Sequence, residues 1–424
     1  MIKFFDKLFF RTNNLNDVSQ GIKDLSVKTP VSKIFKVIND YSDLSEVRYV
    51  GGCIRKIIKK EKVDDIDLAT NLEPKEIISV LKKNNFNFYE TGIQHGTITI
   101  VLDGFKFEIT TLREDFETDG RHAQVRFSKS WKKDAMRRDF TINSIYSDIE
   151  GNLFDPFNGK KDLENGLIRF VGDPEKRIQE DYLRILRYLR FFLSYSKHNH
   201  DKKILSILKK NLVGISNLSK DRLLDELKKF IHSKLLENLS NDKNSTDLIK
   251  SIFPQLINIG IFKKLNSIAK SKLNELDFIF ILSLLIIDKT DNFEFFIYKF
   301  NLSKKDQKRL KIINDFYKSE LRDKSFSEQN LNKLFYYEGE QAVKDIINFK
   351  LFISKKIDNK LVSLLETYKS KTIPIMPVSA KKLISEFNIP EGKTLGNKLK
   401  AIENKWVENN FKLSDKEISK IIGS

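Results

Sequence analysis

The chain has 424 residues, too many for one compact core, and at roughly 150 residues per domain it divides into about three units. Its 76 Lys and Arg against 58 Asp and Glu leave a formal net charge of +18, which points to nucleic acid or an anionic membrane surface, or else to a lysine-rich solvated exterior. The single Cys53 excludes an internal disulfide and a cysteine-rich zinc site and fits a reducing cytosol, and 40% hydrophobic residues argue against global disorder.

In chain order, MIKFFDKLFFR is short, basic and amphipathic and lacks the small-residue cleavage pattern of a signal peptide, so a frayed or surface-docked helix is expected there. Nearly all the β-type alternation falls within the first 160 residues. VRYVGG and DDIDLAT read as short strands separated by a helical CIRKIIKK. EPKEIISVLKKNN opens with a Pro at the first turn of a helix. TITIVLDGFKFEITTL, from Thr97 to Leu112, reads as a hairpin turning at Asp103-Gly104. Beyond about Gly159 the periodicity is helical. GDPEKRIQEDYLRILRYLRFFLSY begins with Asp173 as N-cap and Pro174 at the first helical position. Phe278 to Ile287, broken only by Ser283, is too short for the roughly 20 residues of a membrane span and reads as a buried core helix. KTIPIMPVSA interrupts the helices before a last module around Trp406. The fold class is therefore α+β, a small mixed sheet followed by an extended helical body.

Three constellations carry chemistry. On a strand, Asp65, Asp67 and Ala69 share one face while Ile66 and Leu68 enter the core. Two neighbouring carboxylates repel unless a cation joins them, and oxygen ligands with no His or Cys suit Mg²⁺. Gly51 and Gly52 before a helix let the backbone approach a phosphate, and Arg55 reaches the same anion; the alternative is a solvated strand end. Glu108 shares a face with Lys106 and Thr110 and joins the aspartates if its strand neighbours theirs; otherwise it is a solvent-facing glutamate. WKKDAMRRDFTINSIY gathers Arg137, Arg138, Asp139 and Asn143. If helical, Asp139 and Asn143 are i,i+4 and can fix a ribose hydroxyl or a phosphate, against the alternative of a surface helix with internal ion pairs.

In EDYLRILRYLRF, Asp181 and Arg184 are i,i+3. An acceptor fixed beside donors matches the donor–acceptor order of cytosine and adenine and rejects guanine and uracil, whereas an intrahelical salt bridge is the ordinary alternative. HNHD near His200 and Asp201 reads as a polar loop, not a metal site. EGKT lacks the glycine a phosphate-binding loop needs, since Phe387 stands there, and His122 has no evident partner.

Together these motifs resemble the class II, bacterial-type CCA-adding tRNA nucleotidyltransferase and poly(A) polymerase family. GGCIRK…DDIDLAT is similar to its glycine-arginine and DxD motif, RRDFTINSIY to its ribose-selecting motif, and EDYLRILRYLRF to its nucleotide-template helix. LSKDRLLDELKKF resembles the helix buttressing that template, TTLREDFETDGRHAQVRF the flexible loop that helps switch from C to A addition, and GNKLKAIENKWVENNF the tail module. Lys56 departs from the family's usual Asp or Asn.

The resemblance implies a polymerase-beta-like nucleotidyltransferase head over residues 1–160, a template neck over 161–240, a helical body over 241–370 and a tRNA-binding tail over 371–424. It implies that Asp65 and Asp67 bind Mg²⁺, with Glu108 as companion. Gly51, Gly52 and Arg55 would hold the triphosphate, and Arg137, Arg138, Asp139 and Asn143 the ribose and phosphates. Asp181 and Arg184 would read the base, supported by Glu180 and Arg187, with Arg113 and Asp115 at the start of the loop. The implied reaction adds C, C and A to the 3′ end of tRNA from CTP and ATP, releasing pyrophosphate, in a cytoplasmic monomer or homodimer without membrane attachment. The alternatives are a poly(A) polymerase, a partial enzyme adding only C-C or only A, and a non-catalytic RNA-binding protein.

Overall fold

The computed structural model describes residues 18–118, 123–231, 233–319 and 326–423. The N-terminal amphipathic segment and His122 lie outside them. The chain divides into two compact units, one ending at Glu226 and the other beginning at Leu227.

The first unit opens with helices α1 (18–28) and α2 (Val31–Asn39). Strand β1 (Val47–Val50) runs into Gly51, whose φ of +70° turns the chain sharply into α3 (Gly52–Ile58), a backbone conformation that disfavours any side chain. β2 (Ile66–Thr70) follows. Helix α4 (Pro74–Lys83) has Pro74 in its first turn and a reciprocal capping box between Glu73 and Glu76. Strands β3 (Asn87–Gly92), β4 (Thr97–Leu102) and β5 (Phe105–Thr111) come next. Asp103 and Gly104, at φ 50° and 81°, make the expected hairpin turn between β4 and β5.

With β8 (Tyr146–Ser147) and β9 (Leu153–Phe154) the sheet order is β3-β4-β5-β2-β1-β8-β9. Only the central β2–β5 pair is parallel. One face of the sheet packs Cys53, Ile54, Leu68, Ile77, Leu81, Phe107 and Ile109 into the main core. The other covers a smaller cluster of Val50, Ala69, Leu112, Ala135 and Tyr146. Ala69 therefore does not share the exposed environment of Asp65, because Tyr146 and Ala135 cover it.

The segment read as the family's flexible loop forms, where described, a two-stranded ribbon of β6 (Arg113–Thr118) and β7 (Ala123–Phe127), with its tip outside the described residues. Helices α5 (Trp131–Arg137), α6 (Gly159–Asn165), α7 (Pro174–Glu180), α8 (Leu183–Tyr195), α9 (Lys202–Lys210) and α10 (Lys220–Phe230) follow. As read, Asp173 caps α7 by accepting from the Lys176 N–H. Gly159 is required by proximity, since a Cβ there would lie 2.0 Å from the Thr141 carbonyl oxygen.

In the second unit every regular element among the described residues is helical. Phe278–Ile286 is the expected buried helix, and the bidentate pair of Arg309 with buried Asp345 (2.6 and 2.8 Å) ties two further helices. Separate cores form around Phe335, Val343 and Leu365 and around Leu383, Leu395 and Ile402. Among the described residues no helix is long and apolar enough to cross a membrane.

Candidate nucleotide and metal site

The parallel register of β2 and β5 sets Asp67 directly opposite Glu108, with Asp65 one residue before β2 begins. The condition for Glu108 joining the acidic pair is thus met in the backbone, while its carboxylate also accepts from Lys106 at 3.1 Å. Burial and the neighbouring Glu108 charge push the Asp67 carboxyl above its ordinary value, against the opposing pull of Arg138 and Arg55. Cys53 bonds the carbonyl of Val50, and burial raises its thiol to about 12, so it is inert packing beneath the strand.

A Cβ at Gly52 would stand 3.9 Å from Arg55 Nη2 and 4.0 Å from Asp67 Oδ2, so glycine, guanidinium and carboxylate converge on one corner. Among the described residues no three His, Cys, Asp or Glu side chains form a ready-made metal cage. That donor set fits Mg²⁺, which is held by one or two carboxylates and completes its shell from water and substrate phosphates. Lys56 pairs with Asp64 at 3.2 Å.

The RRD segment is buried but is not a continuous helix. α5 ends at Arg137, Arg138 is extended, and Thr141–Asn143 forms a single 3₁₀ turn. Asp139 and Asn143 nonetheless meet across that turn, Asn143 Nδ2 donating to Asp139 Oδ1 at 2.9 Å. Arg187 donates to the other oxygen at 2.6 Å. Burial opposes the Asp139 charge, but Arg187 and Asn143 prevail and hold its carboxyl at about 2. Arg55 Nη1 donates to Asn143 Oδ1, which fixes the orientation of that amide. Phe140 anchors the turn among Phe170 and Phe191, at ring separations of 4.8 and 5.4 Å.

Arg137 and Arg138 both pair with Asp134, at 2.8 and 3.1 Å, and Tyr146 donates to the same carboxylate at 2.6 Å. Asp134 is 1% exposed. Burial opposes its charge, yet Arg138 and Arg137 hold its carboxyl well below the usual range. Arg138 Nη1 lies 3.6 Å from where a Gly51 Cβ would be. Sequence reading missed Asp134, whose only signal was its spacing of three and four residues from the arginines. The Arg113 guanidinium reaches the His95 carbonyl, and its backbone N–H donates to Asp134.

EDYLRILRYLRF is broken, not one helix. α7 ends at Glu180, Asp181 is extended, and α8 starts at Leu183. Asp181 and Arg184 consequently do not pair. Buried Arg184 donates to Glu180 at 2.7 Å and to the Arg177 carbonyl at 2.5 Å, while Asp181 accepts from Arg222 of α10 at 2.9 Å. The same helix also bonds α8, Arg190 donating to buried Glu226 at 2.6 Å. Arg177, also missed, donates to the carbonyls of Arg137 and Arg138 and so grips the end of α5. His200 lies stacked on Phe192 at 3.5 Å, Asp201 caps α9, and Gly392 precedes the helix Lys393–Glu408.

Residues 47–169 match the family model for the poly(A) polymerase head domain. The human mitochondrial CCA tRNA nucleotidyltransferase 1 is 45% identical over 189 residues, 44% of each chain, so the matched stretch spans less than half of that relative. A CCA-adding enzyme of Staphylococcus saprophyticus is 27% identical over 370 residues, 84% of this chain and 88% of that one. Among solved structures, the Bacillus stearothermophilus CCA-adding enzyme in complex with CTP superposes with a TM-score of 0.69 at 20% identity, covering 93% of this chain and 97% of that one. The Thermotoga maritima CCA-adding enzyme complexed with tRNA gives 0.59 at 21% identity, covering 96% and 98%. Over residues 47–169 the chain thus carries a match to the poly(A) polymerase head domain, and over most of its length it is similar to CCA-adding enzymes and shares their fold.

Proposed function

We propose that this chain adds C, C and A in turn to the 3′ end of tRNA, using CTP and ATP. The 3′ oxygen of the RNA forms a bond to the α-phosphorus, the bond to the bridging oxygen breaks, and pyrophosphate leaves. The observation carrying this reading is the β2–β5 register, which brings Glu108 beside Asp67 at the corner shared with Gly52 and Arg55.

Asp65 and Asp67 would hold Mg²⁺, with Glu108 as companion. When bound, the ions lower the pKa of the attacking hydroxyl and neutralise charge on the triphosphate. Arg55 and Arg138, each held by neutral or acidic partners, face the glycine pair and grip the triphosphate. Asp139 and Asn143, with Arg137 beside them, orient the ribose, while Asp181 and Arg184 present acceptor beside donor to the base edge of C or A. The net charge of +18 holds the RNA backbone. In this reading the head (1–160), neck (161–240), body (241–370) and tail (371–424) belong to a cytoplasmic enzyme working as a monomer or homodimer.

Single-nucleotide extension of tRNA lacking its terminal CCA tests the proposal. CTP alone with Mg²⁺ should add two residues, and ATP should then add one. An open-ended A run would assign the chain to poly(A) synthesis, addition of only C-C or only A to a partial enzyme, and no product to RNA binding alone.

A further inference from the structure

Arg55 has its donors divided among different partners, and one of those partners lies outside every motif considered so far. Its Nη1 donates to Asn143, and its Nε points at the Tyr195 hydroxyl, 3.4 Å away at the end of α8. The guanidinium also rests on the rings of Phe191 and Tyr195, 4.7 and 5.6 Å from their centroids. The Tyr195 hydroxyl in turn donates to Glu61 Oε2 at 3.0 Å, so its oxygen lone pairs remain to accept from Arg55. With Nε and Nη1 spoken for, the edge that remains is Nη2, the atom 3.9 Å from a Gly52 Cβ and beside Asp67.

We propose that Tyr195, oriented by Glu61, is a positioning residue that aims Arg55 Nη2 into the Gly52–Asp67 corner and thereby sets triphosphate affinity equally for CTP and ATP. The donor directions are consistent along the whole path from Glu61 through Tyr195, Arg55 and Asn143 to Asp139, which leaves Arg55 one orientation. Without the hydroxyl, the guanidinium can rotate about its stem while still stacking on Phe191. The cost falls on whatever anion Nη2 holds, and the triphosphate is common to both nucleotides. This inference rests on the reading of that corner as the triphosphate site.

The test is equilibrium binding of CTP and of ATP to the full chain in Mg²⁺, without tRNA, alongside extension kinetics. Tyr195→Phe should weaken both nucleotides by about tenfold, the low end for a hydrogen bond to a charged group, with an unchanged CTP-to-ATP ratio and unchanged Tm. Glu61→Ala, on an exposed residue, should act in the same direction by a smaller factor. Arg55→Lys should weaken binding by itself, and adding Tyr195→Phe to it should cost nothing more. Wild-type affinity in Tyr195→Phe, an effect on one nucleotide only, or additivity with Arg55→Lys would overturn the proposal. Because binding is read without transfer, a wild-type chain that binds nucleotide but adds no CCA defeats the functional reading and leaves this one standing.

Discussion

Replacing Asp134 by Asn removes one charge from a buried point where two arginines and a tyrosine converge. Asp134 is 1% exposed and receives Arg137, Arg138 and Tyr146 at 2.6–3.1 Å. An asparagine fills the same space but leaves two mostly buried guanidiniums without a counter-charge. Breaking a buried pair on one side costs about 3–5 kcal/mol, and the remaining amide hydrogen bonds favour the lower figure. In a unit of this size 1 kcal/mol moves Tm by about 2–4 °C, so a loss of about 6–12 °C is expected by circular dichroism.

The pH profile supplies an independent check. The folded-state carboxyl lies below its unfolded value, so its contribution is fully present above the unfolded value near pH 4 and is lost as pH falls towards the folded one. The wild-type chain should therefore lose stability more steeply below about pH 4 than Asp134→Asn does. Nucleotide KM should rise too, because Arg138 loses the anchor that keeps Nη1 beside Gly51. An asparagine variant melting within about 2 °C of wild type, with the same acid slope, would refute the view that Asp134 organises the arginines.

Asp67→Asn should abolish transfer, by about 10³-fold or more, yet raise Tm in metal-free buffer near neutral pH. The folded Asp67 carboxyl lies above its unfolded value, so its stabilising share is present only below that value and is lost as pH rises. The difference between variant and wild type should accordingly shrink in acid, and a metal-free variant that melts lower at neutral pH would contradict the repulsion argued for the carboxylates. Gly214→Ala would put a Cβ 2.1 Å from the Tyr182 ring, beside the break that carries Asp181. Overpacking there should cost about 1–3 kcal/mol and relax discrimination against UTP and GTP, and unchanged discrimination in single-nucleotide assays would detach the break at Asp181 from base selection.

Features set by local geometry were legible from the chain alone. The Asp103-Gly104 turn needs positive φ at both residues, and two-residue alternation decides which way Ile66 and Leu68 face. Spacing correctly joined Asp139 to Asn143 but assigned the wrong backbone. A 3₁₀ turn anchored by Phe140 brings them as close as a helix would, and the anchor depends on Phe170 and Phe191, distant in sequence. Asp134 looked like half of an ordinary helical ion pair, because nothing local reveals that Tyr146 and the sheet will bury it. Tyr195 and Glu61 were invisible for the same reason: Tyr195 lies 140 residues from Arg55 and 134 from Glu61.

Under the proposed function, the break between α7 and α8 gives a physical route by which a protein side-chain pair would serve as a template. Had Asp181 and Arg184 lain on one helix, three residues apart, they would have satisfied one another, and a base would have had to compete with a ready-made salt bridge. The extended backbone at Asp181 separates them and gives each its own tether. Arg184 is fixed by Glu180 and a carbonyl through a single nitrogen, Nη1, while Asp181 is fixed by Arg222 and the Leu183 N–H. Each carboxylate oxygen retains a second lone pair after those bonds, so the acceptor is immobilised without being used up. Rigid groups with spare capacity discriminate by what an incorrect base leaves unpaired, which is a larger penalty than any single correct contact is worth. In the proposed function the helix break, not the salt bridge the spacing invited, would let an aspartate and an arginine stand in for a complementary nucleotide.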